Sequence, residues 1–362
     1  MNRRFSSGLV VGKFAPLHRG HELVIHTALE QCDTVYVLSY SRPEFAGCEP
    51  HRRVRWLEKL FPETQRLVLD NAAASALGLQ RHHPANDAPE GEHRDFVADV
   101  CETVFHTRVQ AVVGSDDYME PFAAHLSGRF KTAEPGHPGV TAVLVDPARI
   151  RLPVSGTLLR EDVHAHRQYL SPQVYADFAV RVCLLGGESS GKSTLAEHLA
   201  REWDTTWVHE FGREYWIEKG GVLTFDELTH IGRVQCQWEE EAAGRANRFL
   251  FCDTTPLTTL FYCQHEFGRA SAELEHLATR PYDLTLLCAP DFPHVQDGSR
   301  QPSPFRDLQH AWYLRELEER GVPYTLLQGD ISTRIATVRH LLEALPSVLR
   351  TASSHTQAAS TK

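Results

Sequence analysis

Two short segments of the 362-residue chain combine glycines with cationic or imidazole side chains at spacings that suit phosphate groups. The first, at 12–21, reads GKFAPLHRGH and lies between an apolar run and a helical pattern. The second, at 186–194, reads GGESSGKST and matches the pattern GxxxxGK[ST]. Glycines let the backbone approach a ligand, and the N–H groups at a helix start attract anions. The sequence therefore predicts two separate phosphate sites, each using ATP.

The first segment supplies groups that can hold a nucleotide without a protein nucleophile. An adenylyl group can be transferred to a phosphate that is already anionic, so catalysis consists of alignment and neutralisation of charge. Imidazole and ammonium groups suit that task, while glycine and proline shape the turn around the phosphates. The catalytic candidates are His18 and His21, and the predicted ATP-binding residues are Gly12, Lys13, Phe14, Pro16 and Gly20.

A second segment, VSGTLLR at 154–160, supplies the arginine that such a site needs. Ser155 and Thr157 can cap a helix and bind phosphate, and Arg160 follows one turn later as a catalytic candidate. The pair of segments resembles the HxGH nucleotidyltransferases, whose second motif is ISxTxxR, with Val154 in place of isoleucine. The alternative is that the two histidines are ordinary polar loop residues.

The GxxxxGK[ST] segment follows the apolar run VRVCLL and precedes an amphipathic helical pattern, which is the context of a P-loop. Lys192 is expected to bridge the β- and γ-phosphates, and Ser193 to ligate magnesium together with Asp253 at the end of another apolar run. GTP-selective motifs are absent, so a small-molecule kinase is the simplest interpretation. The predicted ATP-binding residues are Gly187, Glu188, Ser189, Ser190, Gly191, Ser193 and Thr194.

Phosphorylation of a neutral hydroxyl needs a carboxylate to take its proton. Asp253 is the favoured base, while Glu210 is a second catalytic candidate that, with Arg213, is expected to shape the acceptor site. A simple helix-start charge is an equal alternative for Glu210. The proline-rich stretch 291–306 predicts a closing lid whose Arg300 stabilises the transferring group, although a solvated loop explains it equally well.

Short apolar runs alternate with helical patterns along the whole chain, which predicts an α/β protein with parallel sheets. We expect a Rossmann-like nucleotidyltransferase domain at 1–172, a P-loop kinase domain at 178–350 and a disordered tail at 351–362. The first helix is predicted at 22–30, and 81–93 is predicted to be an exposed loop. The predicted strands are 8–11, 34–38, 66–69, 109–113, 140–145, 180–185, 206–209, 248–252, 284–288 and 324–327.

The composition excludes several classes of protein. A net charge of −10 argues against a large nucleic-acid footprint, which needs a basic surface. No apolar run approaches the roughly 20 residues of a membrane span. The eight cysteines are scattered singly, which favours buried thiols in a reducing compartment, so we expect a cytoplasmic protein.

Further segments give the two motifs a family context. HEFGREY at 209–215, FCDTTPLTT at 251–259 and DGSR at 297–300 follow them in order, and the chain thereby resembles the NadR-like bifunctional proteins. The resemblance implies a kinase that phosphorylates nicotinamide riboside to nicotinamide mononucleotide (NMN), and an adenylyltransferase that converts NMN and ATP into NAD and pyrophosphate. It also implies Mg²⁺ with ATP as the cofactor.

Some NadR-like proteins carry an N-terminal helix-turn-helix domain, and the early position of the first strand predicts that this domain is missing here. Two alternatives to the salvage enzyme remain at this stage. The same folds could act on a different phosphate acceptor and nucleoside, or the chain could sense NAD or nucleotides with little turnover. The sequence leaves the oligomeric state open, a homo-oligomer included.

Overall fold

The structure is a computed structural model that describes residues 3–70, 76–79, 81–291 and 303–345. It divides into two compact units, the first ending at Val174 and the second beginning at Tyr175. The predicted tail at 351–362 lies outside the described residues. Among the helices of the described part, none is long and apolar enough to cross a bilayer.

Unit 1 is built on a sheet of five parallel strands in the order β3-β2-β1-β4-β5. The strands are β1 Phe5–Gly12, β2 Cys32–Ser39, β3 Gln65–Val68, β4 Ala111–Gly114 and β5 Thr141–Leu144. The helices are α1 Arg19–Gln31, α2 Pro50–Leu60, α3 Glu90–Thr103, α4 Met119–Ala133, α5 Gly156–Glu161 and α6 Pro172–Tyr175. Apolar runs such as Val35, Val37 and Leu38 are buried because helices cover the parallel sheet.

Unit 2 repeats this plan with a sheet in the order β10-β9-β6-β8-β7, again with every pairing parallel. The strands are β6 Val180–Leu185, β7 Trp207–Val208, β8 Phe249–Asp253, β9 Leu284–Cys288 and β10 Thr325–Leu327. The helices are α7 Lys192–Glu202, α8 Phe211–Glu218, α9 Phe225–Ala243, α10 Pro256–Phe267, α11 Ala272–Leu277, α12 Ser303–Glu319 and α13 Ile331–Glu343.

Each sheet has a central strand at which the strand order reverses. In unit 1, β1 lies between β2 and β4, and in unit 2, β6 lies between β9 and β8. Helices that follow the neighbouring strands pass to opposite faces there, which opens a crevice at the carboxyl end of the central strand. The segments at 12–21 and 186–194 follow β1 and β6 directly, so both lie at such a crevice.

The α/β class and the two parallel sheets are confirmed, whereas two local predictions are wrong. The stretch 81–93 is not an exposed loop throughout, because α3 begins at Glu90 and His83 is buried. Asn86 attaches this stretch to the loop that follows β2, since its backbone N–H donates to the carbonyl of Arg42 at 2.8 Å. The first helix begins at Arg19 instead of residue 22, because His18 caps it.

A buried carboxylate ties α9 to the segment that leads into β9. Glu239 is completely buried, and burial raises the pKa of its carboxyl group to about 7. Its oxygens accept hydrogen bonds from the Tyr282 hydroxyl at 2.9 Å, and the guanidinium of Arg280 lies 2.9 Å away. The Tyr282 hydroxyl and the Glu239 carboxylate thus satisfy each other, and Arg280 supplies the opposite charge.

We expect Glu239→Ala to lower the free energy of unfolding by about 3–5 kcal/mol, because it leaves the Arg280 guanidinium and the Tyr282 hydroxyl without their buried partner. Urea denaturation followed by circular dichroism measures this change. Glu275→Ala is the control, since that side chain is exposed on α11. Equal effects of the two substitutions would contradict a structural role for the buried network.

Candidate functional site

The first motif forms the start of α1. His18 is the N-cap residue, and its Nδ1 accepts a hydrogen bond from the backbone N–H of His21 at 3.3 Å. The backbone N–H of His18 donates in turn to Nδ1 of His21 at 3.3 Å, and the two rings stack with their centroids 3.7 Å apart. Because both Nδ1 atoms accept, the proton of each neutral ring is on Nε2. The motif thus presents two imidazole N–H donors.

The charge in this site comes from its arginines and its lysine. Burial, with the charges of Arg149 and Arg160, lowers the pKa of His18 to about 4. Burial and the neighbouring His18 and Arg149 lower the pKa of His21 well below its usual value. Both rings are therefore neutral at physiological pH. The pKa of Lys13 is also lowered, mainly by burial and by Arg160.

The second motif lies directly against the first. Nη1 of Arg160 donates to the carbonyl oxygen of Ala15 at 2.7 Å, and Nη2 donates to the Thr157 hydroxyl at 3.0 Å. Ser155 caps α5 by accepting a hydrogen bond from the N–H of Leu158 at 3.2 Å. A Cβ atom on Gly20 would lie 3.3 Å from Val154, so glycine allows this close packing. The structure thus brings the two predicted segments together.

Not every predicted residue of the first motif can contact a ligand through its side chain. Phe14 and Pro16 are buried, and the ring of Phe14 meets the ring of His21 edge-on at 4.9 Å. Only the backbone atoms of these two residues can therefore contact a nucleotide. Gly12 lies beneath the Phe14 ring, where a Cβ atom would come within 3.0 Å of it.

Arg149 is a charged neighbour of this site that the motif patterns missed. It lies in a turn where the carboxylate of Asp146 accepts hydrogen bonds from the backbone N–H groups of Ile150 and Arg151, at 3.0 and 3.1 Å. Its guanidinium is 3.2 Å from the carboxylate of Asp116. The available sequence signal was the Asp-Pro pair at 146–147, which is typical of turns.

The P-loop of unit 2 adopts a backbone conformation with positive φ angles, which glycine allows. Gly186 and Gly191 have φ values of +143° and +82°, and a Cβ atom on Gly186 would lie 2.7 Å from the carbonyl oxygen of Cys288. Nζ of Lys192 donates to the carbonyls of Gly186 at 2.9 Å and Gly187 at 3.0 Å. The lysine and the loop N–H groups form a cradle for an anion.

Two carboxylates lie beside this cradle. Asp253 ends β8, its carboxylate accepts a hydrogen bond from Ser193, and burial raises its pKa. Glu210 precedes α8, and burial raises the pKa of its carboxyl group to about 7, with Asp253 adding to the rise and Lys192 opposing it. The Glu210 side chain makes no capping hydrogen bond to α8. As the N-cap residue, Glu210 still carries its charge at the helix start, so both interpretations of this residue stand.

The P-loop and Glu210 line a cleft of about 260 Å³. Its wall combines the P-loop, carboxylates, a guanidinium, aromatic rings and small polar side chains. The lining includes Glu188, Ser189, Ser190, Gly191, Lys192, Ser193, Thr194, Glu210, Arg213, Trp216, Tyr262 and Glu266. Every P-loop residue predicted to bind ATP therefore lines it except Gly187, against which the backbone of Arg306 packs.

Three residues that brace the P-loop were not predicted as site residues. The Tyr262 hydroxyl donates to Oε1 of Glu188 at 3.0 Å, and Oε1 of Gln309 accepts from the N–H of Glu188 at 3.0 Å. Nη1 of the completely buried Arg334 donates to the carbonyl of Ser190 at 2.7 Å. They come from distant parts of the sequence, so short-range patterns carry no signal for them.

Only part of the predicted lid can be placed. Arg300 and the rest of 292–302 lie outside the described residues. Arg306, the second arginine of the predicted lid, lies in the first turn of α12 and is 9% exposed, so a solvated loop does not extend to it. Its backbone packs against Gly187 of the P-loop, and a role of the lid arginines in phosphoryl transfer stays a prediction.

Comparison with known proteins matches both units. The AAA domain model matches residues 181–334. The trifunctional NAD biosynthesis/regulator protein NadR of Escherichia coli (strain K12) is 29% identical over 343 residues, which cover 89% of this chain and 79% of that protein.

Two solved structures of NadR have the same fold. The structure in complex with NR has a TM-score of 0.64 at 20% identity, over 93% of this chain and 96% of that one. The structure in complex with NAD and AMP-PNP has a TM-score of 0.61 at 19% identity, over 94% and 96%. The chain is therefore similar to NadR in sequence over most of its length and in fold over both units.

Proposed function

We propose that the chain is a bifunctional enzyme of NAD salvage, in which unit 2 phosphorylates nicotinamide riboside and unit 1 adenylylates the resulting NMN. The observation that carries the proposal is the cleft lined by Lys192, Ser193 and the half-buried Glu210, with the buried carboxylate of Asp253 next to Ser193. The relatives support the choice of pathway, because NadR of Escherichia coli is named for NAD biosynthesis. Solved NadR structures hold NR, NAD and AMP-PNP.

In unit 2 the 5′-hydroxyl of the riboside attacks the γ-phosphorus of ATP, ADP leaves, and the hydroxyl proton passes to a carboxylate. A base works best when its pKa is near the working pH, and the pKa of Glu210 is about 7. Asp253 is already held by the Ser193 hydroxyl. We therefore assign the base to Glu210, although the sequence favoured Asp253. Lys192 and Arg213 are placed to neutralise the phosphates.

Magnesium fits the remaining oxygen atoms of this site. Oδ1 of Asp253 is buried and has no hydrogen-bond partner among the described residues, and the Ser193 hydroxyl lies beside the same carboxylate. Carboxylate and hydroxyl oxygens are the donors that Mg²⁺ prefers when it also binds phosphates. Bound there with ATP, the ion would reduce the charge of the triphosphate.

Other side chains in the lining of the cleft suit a cationic aromatic acceptor. Trp216 and Tyr262 supply aromatic rings, and Glu188 and Glu266 supply carboxylates. A pyridinium ring is attracted by both kinds of group. This combination favours nicotinamide riboside over a neutral nucleoside, which is the main competing substrate class.

In unit 1 the NMN phosphate attacks the α-phosphorus of ATP, and the bond to the departing pyrophosphate breaks. No protein group needs to accept a proton, because the nucleophile is anionic. The Nε2–H groups of His18 and His21 are donors toward the phosphates, and Lys13, Arg149 and Arg160 supply positive charge. Such preorganised charge is worth most where water is excluded.

We expect Lys192→Ala to lower the rate of riboside phosphorylation at least about 100-fold, because the charge on the transferring phosphoryl group is then poorly neutralised. NAD formation from supplied NMN should be unchanged, since Lys192 belongs to unit 2. Both rates are measured by chromatography after incubation with ATP and Mg²⁺. A wild-type chain that yields neither NMN nor NAD would favour a nucleotide sensor or a different substrate.

The converse substitution is His18→Asn, which keeps an N-cap acceptor for α1 but removes the imidazole. NAD formation from NMN should fall about 100-fold while riboside phosphorylation stays at the wild-type rate. Loss of both activities in either variant would refute two independent sites.

We expect Glu210→Gln to abolish phosphorylation and to change how stability depends on pH. In the folded protein the pKa of Glu210 is about 7, above the ordinary glutamate value of 4.5, so between these pH values the folded protein binds a proton that the unfolded chain lacks. Raising the pH through this window therefore destabilises the wild type by about 1–3 kcal/mol relative to Glu210→Gln. Urea denaturation at pH 5 and pH 8 measures the difference.

Glu239 titrates over a similar range but is present in both proteins, so its contribution cancels in that comparison. The wild-type kcat/KM for phosphorylation should rise as the pH increases through 7, as the base loses its proton. A stability difference between the two proteins that is the same at pH 5 and pH 8 would contradict the raised pKa.

A further inference from the structure

Arg53, in the first turn of α2, is completely buried and joins three parts of unit 1. Its Nη2 donates to both carboxylate oxygens of Glu44, at 2.6 and 2.7 Å. Its Nη1 donates to the hydroxyl of Ser39 at the end of β2, at 2.8 Å, and to the carbonyl of Lys13, just after β1, at 3.4 Å. One guanidinium thus fixes the carboxyl ends of two neighbouring strands and the loop that contains Glu44.

The next residue in that loop, Phe45, supports Arg160. The guanidinium carbon of Arg160 lies 4.3 Å from the centroid of the Phe45 ring, which is a cation–π contact. The other contacts of this guanidinium are the Ala15 carbonyl and the Thr157 hydroxyl. Arg160 is thus held by a ring, a carbonyl and a hydroxyl, all of them neutral.

The distribution of charge separates the tasks of the two arginines. Glu44 neutralises Arg53, which is buried too deeply to meet a ligand. No carboxylate among the described residues forms an ion pair with Arg160, so its full charge is available to phosphate. An arginine that must bind an anion is best held by groups that orient it without cancelling its charge.

We propose that Arg53 is a positioning residue for adenylyl transfer, which acts through Glu44 and Phe45 on the guanidinium of Arg160 and through a backbone hydrogen bond on Lys13. The proposal rests on the adenylyltransferase function of unit 1. Arg53 and Phe45 touch no substrate in it. Arg53 and Phe45 fix the positions of the two cationic side chains, Arg160 and Lys13, before ATP binds. This preorganisation lowers the barrier of a reaction that depends on alignment.

The first test is Phe45→Leu, which removes the ring face but leaves the Arg53–Glu44 pair intact. We expect kcat for NAD formation from NMN to fall at least about tenfold, since a misplacement of about 1 Å in a catalytic group has effects of this size or larger. Phosphorylation of the riboside by unit 2 should be unchanged. Phe105→Leu is the matched control, because that partly buried ring packs on Tyr36, 4.8 Å away, instead of on an arginine.

A second measurement separates positioning from general stability. In an Arg160→Ala background, Phe45→Leu should lower kcat no further, because the group that it positions is already gone. A purely structural role predicts that the two losses multiply. Glu44→Gln tests the other end of the chain of contacts, since it keeps an acceptor for Arg53; we expect a smaller fall in kcat that is likewise absent without Arg160.

The outcomes distinguish the inference from the function on which it rests. If the wild type forms NAD from NMN and Phe45→Leu does so equally fast, the inference is wrong and the proposed function stands. Multiplied losses in the double variant also overturn the inference. If the wild type itself forms no NAD from NMN and ATP, the adenylyltransferase proposal fails, and the inference fails with it.

Discussion

The reversal of strand order at β1 and at β6 is the constraint on which both sites depend. Parallel strands place all their carboxyl ends at one edge, and only where the crossovers diverge does that edge stay open between helices. The residues that leave such a strand must turn sharply and begin a helix within a few positions. This explains why Gly12 ends the first central strand and Gly186 directly follows the second, and why a helix begins near each crevice.

The two sites share this frame but handle charge differently. In unit 1 the imidazoles are neutral and positive charge comes from separate side chains, so the pocket is cationic before any ligand arrives. In unit 2 the lysine of the P-loop lies close to two carboxylates whose pKa values burial raises. An anionic nucleophile needs only the first arrangement, whereas a hydroxyl nucleophile needs a base as well. The electrostatics of each unit thus agree with the nucleophile proposed for it.

The sequence predicted the features that arise from neighbouring residues. It placed β6 at Val180–Leu185 and β9 at Leu284–Cys288 with their observed bounds, because apolar β-branched runs between turn signals form buried strands. It could not predict that Arg334 holds the P-loop, because that contact joins residues 144 positions apart. The same holds for Arg149, which a turn brings to the imidazoles, and for His83, whose burial depends on the surrounding fold. Sequence patterns predict the local backbone structure, whereas the charge at a site depends on tertiary contacts between distant residues.

The reciprocal hydrogen bonds between His18 and His21 have a chemical consequence for unit 1. A second proton could enter either ring only at Nδ1, and it would break a bond that holds the first turn of α1 together. The hydrogen bonds at the start of the helix thus fix the tautomer of both rings. Histidine often transfers protons in enzymes, but these two imidazoles are poorly suited to that task and act as fixed dipoles instead.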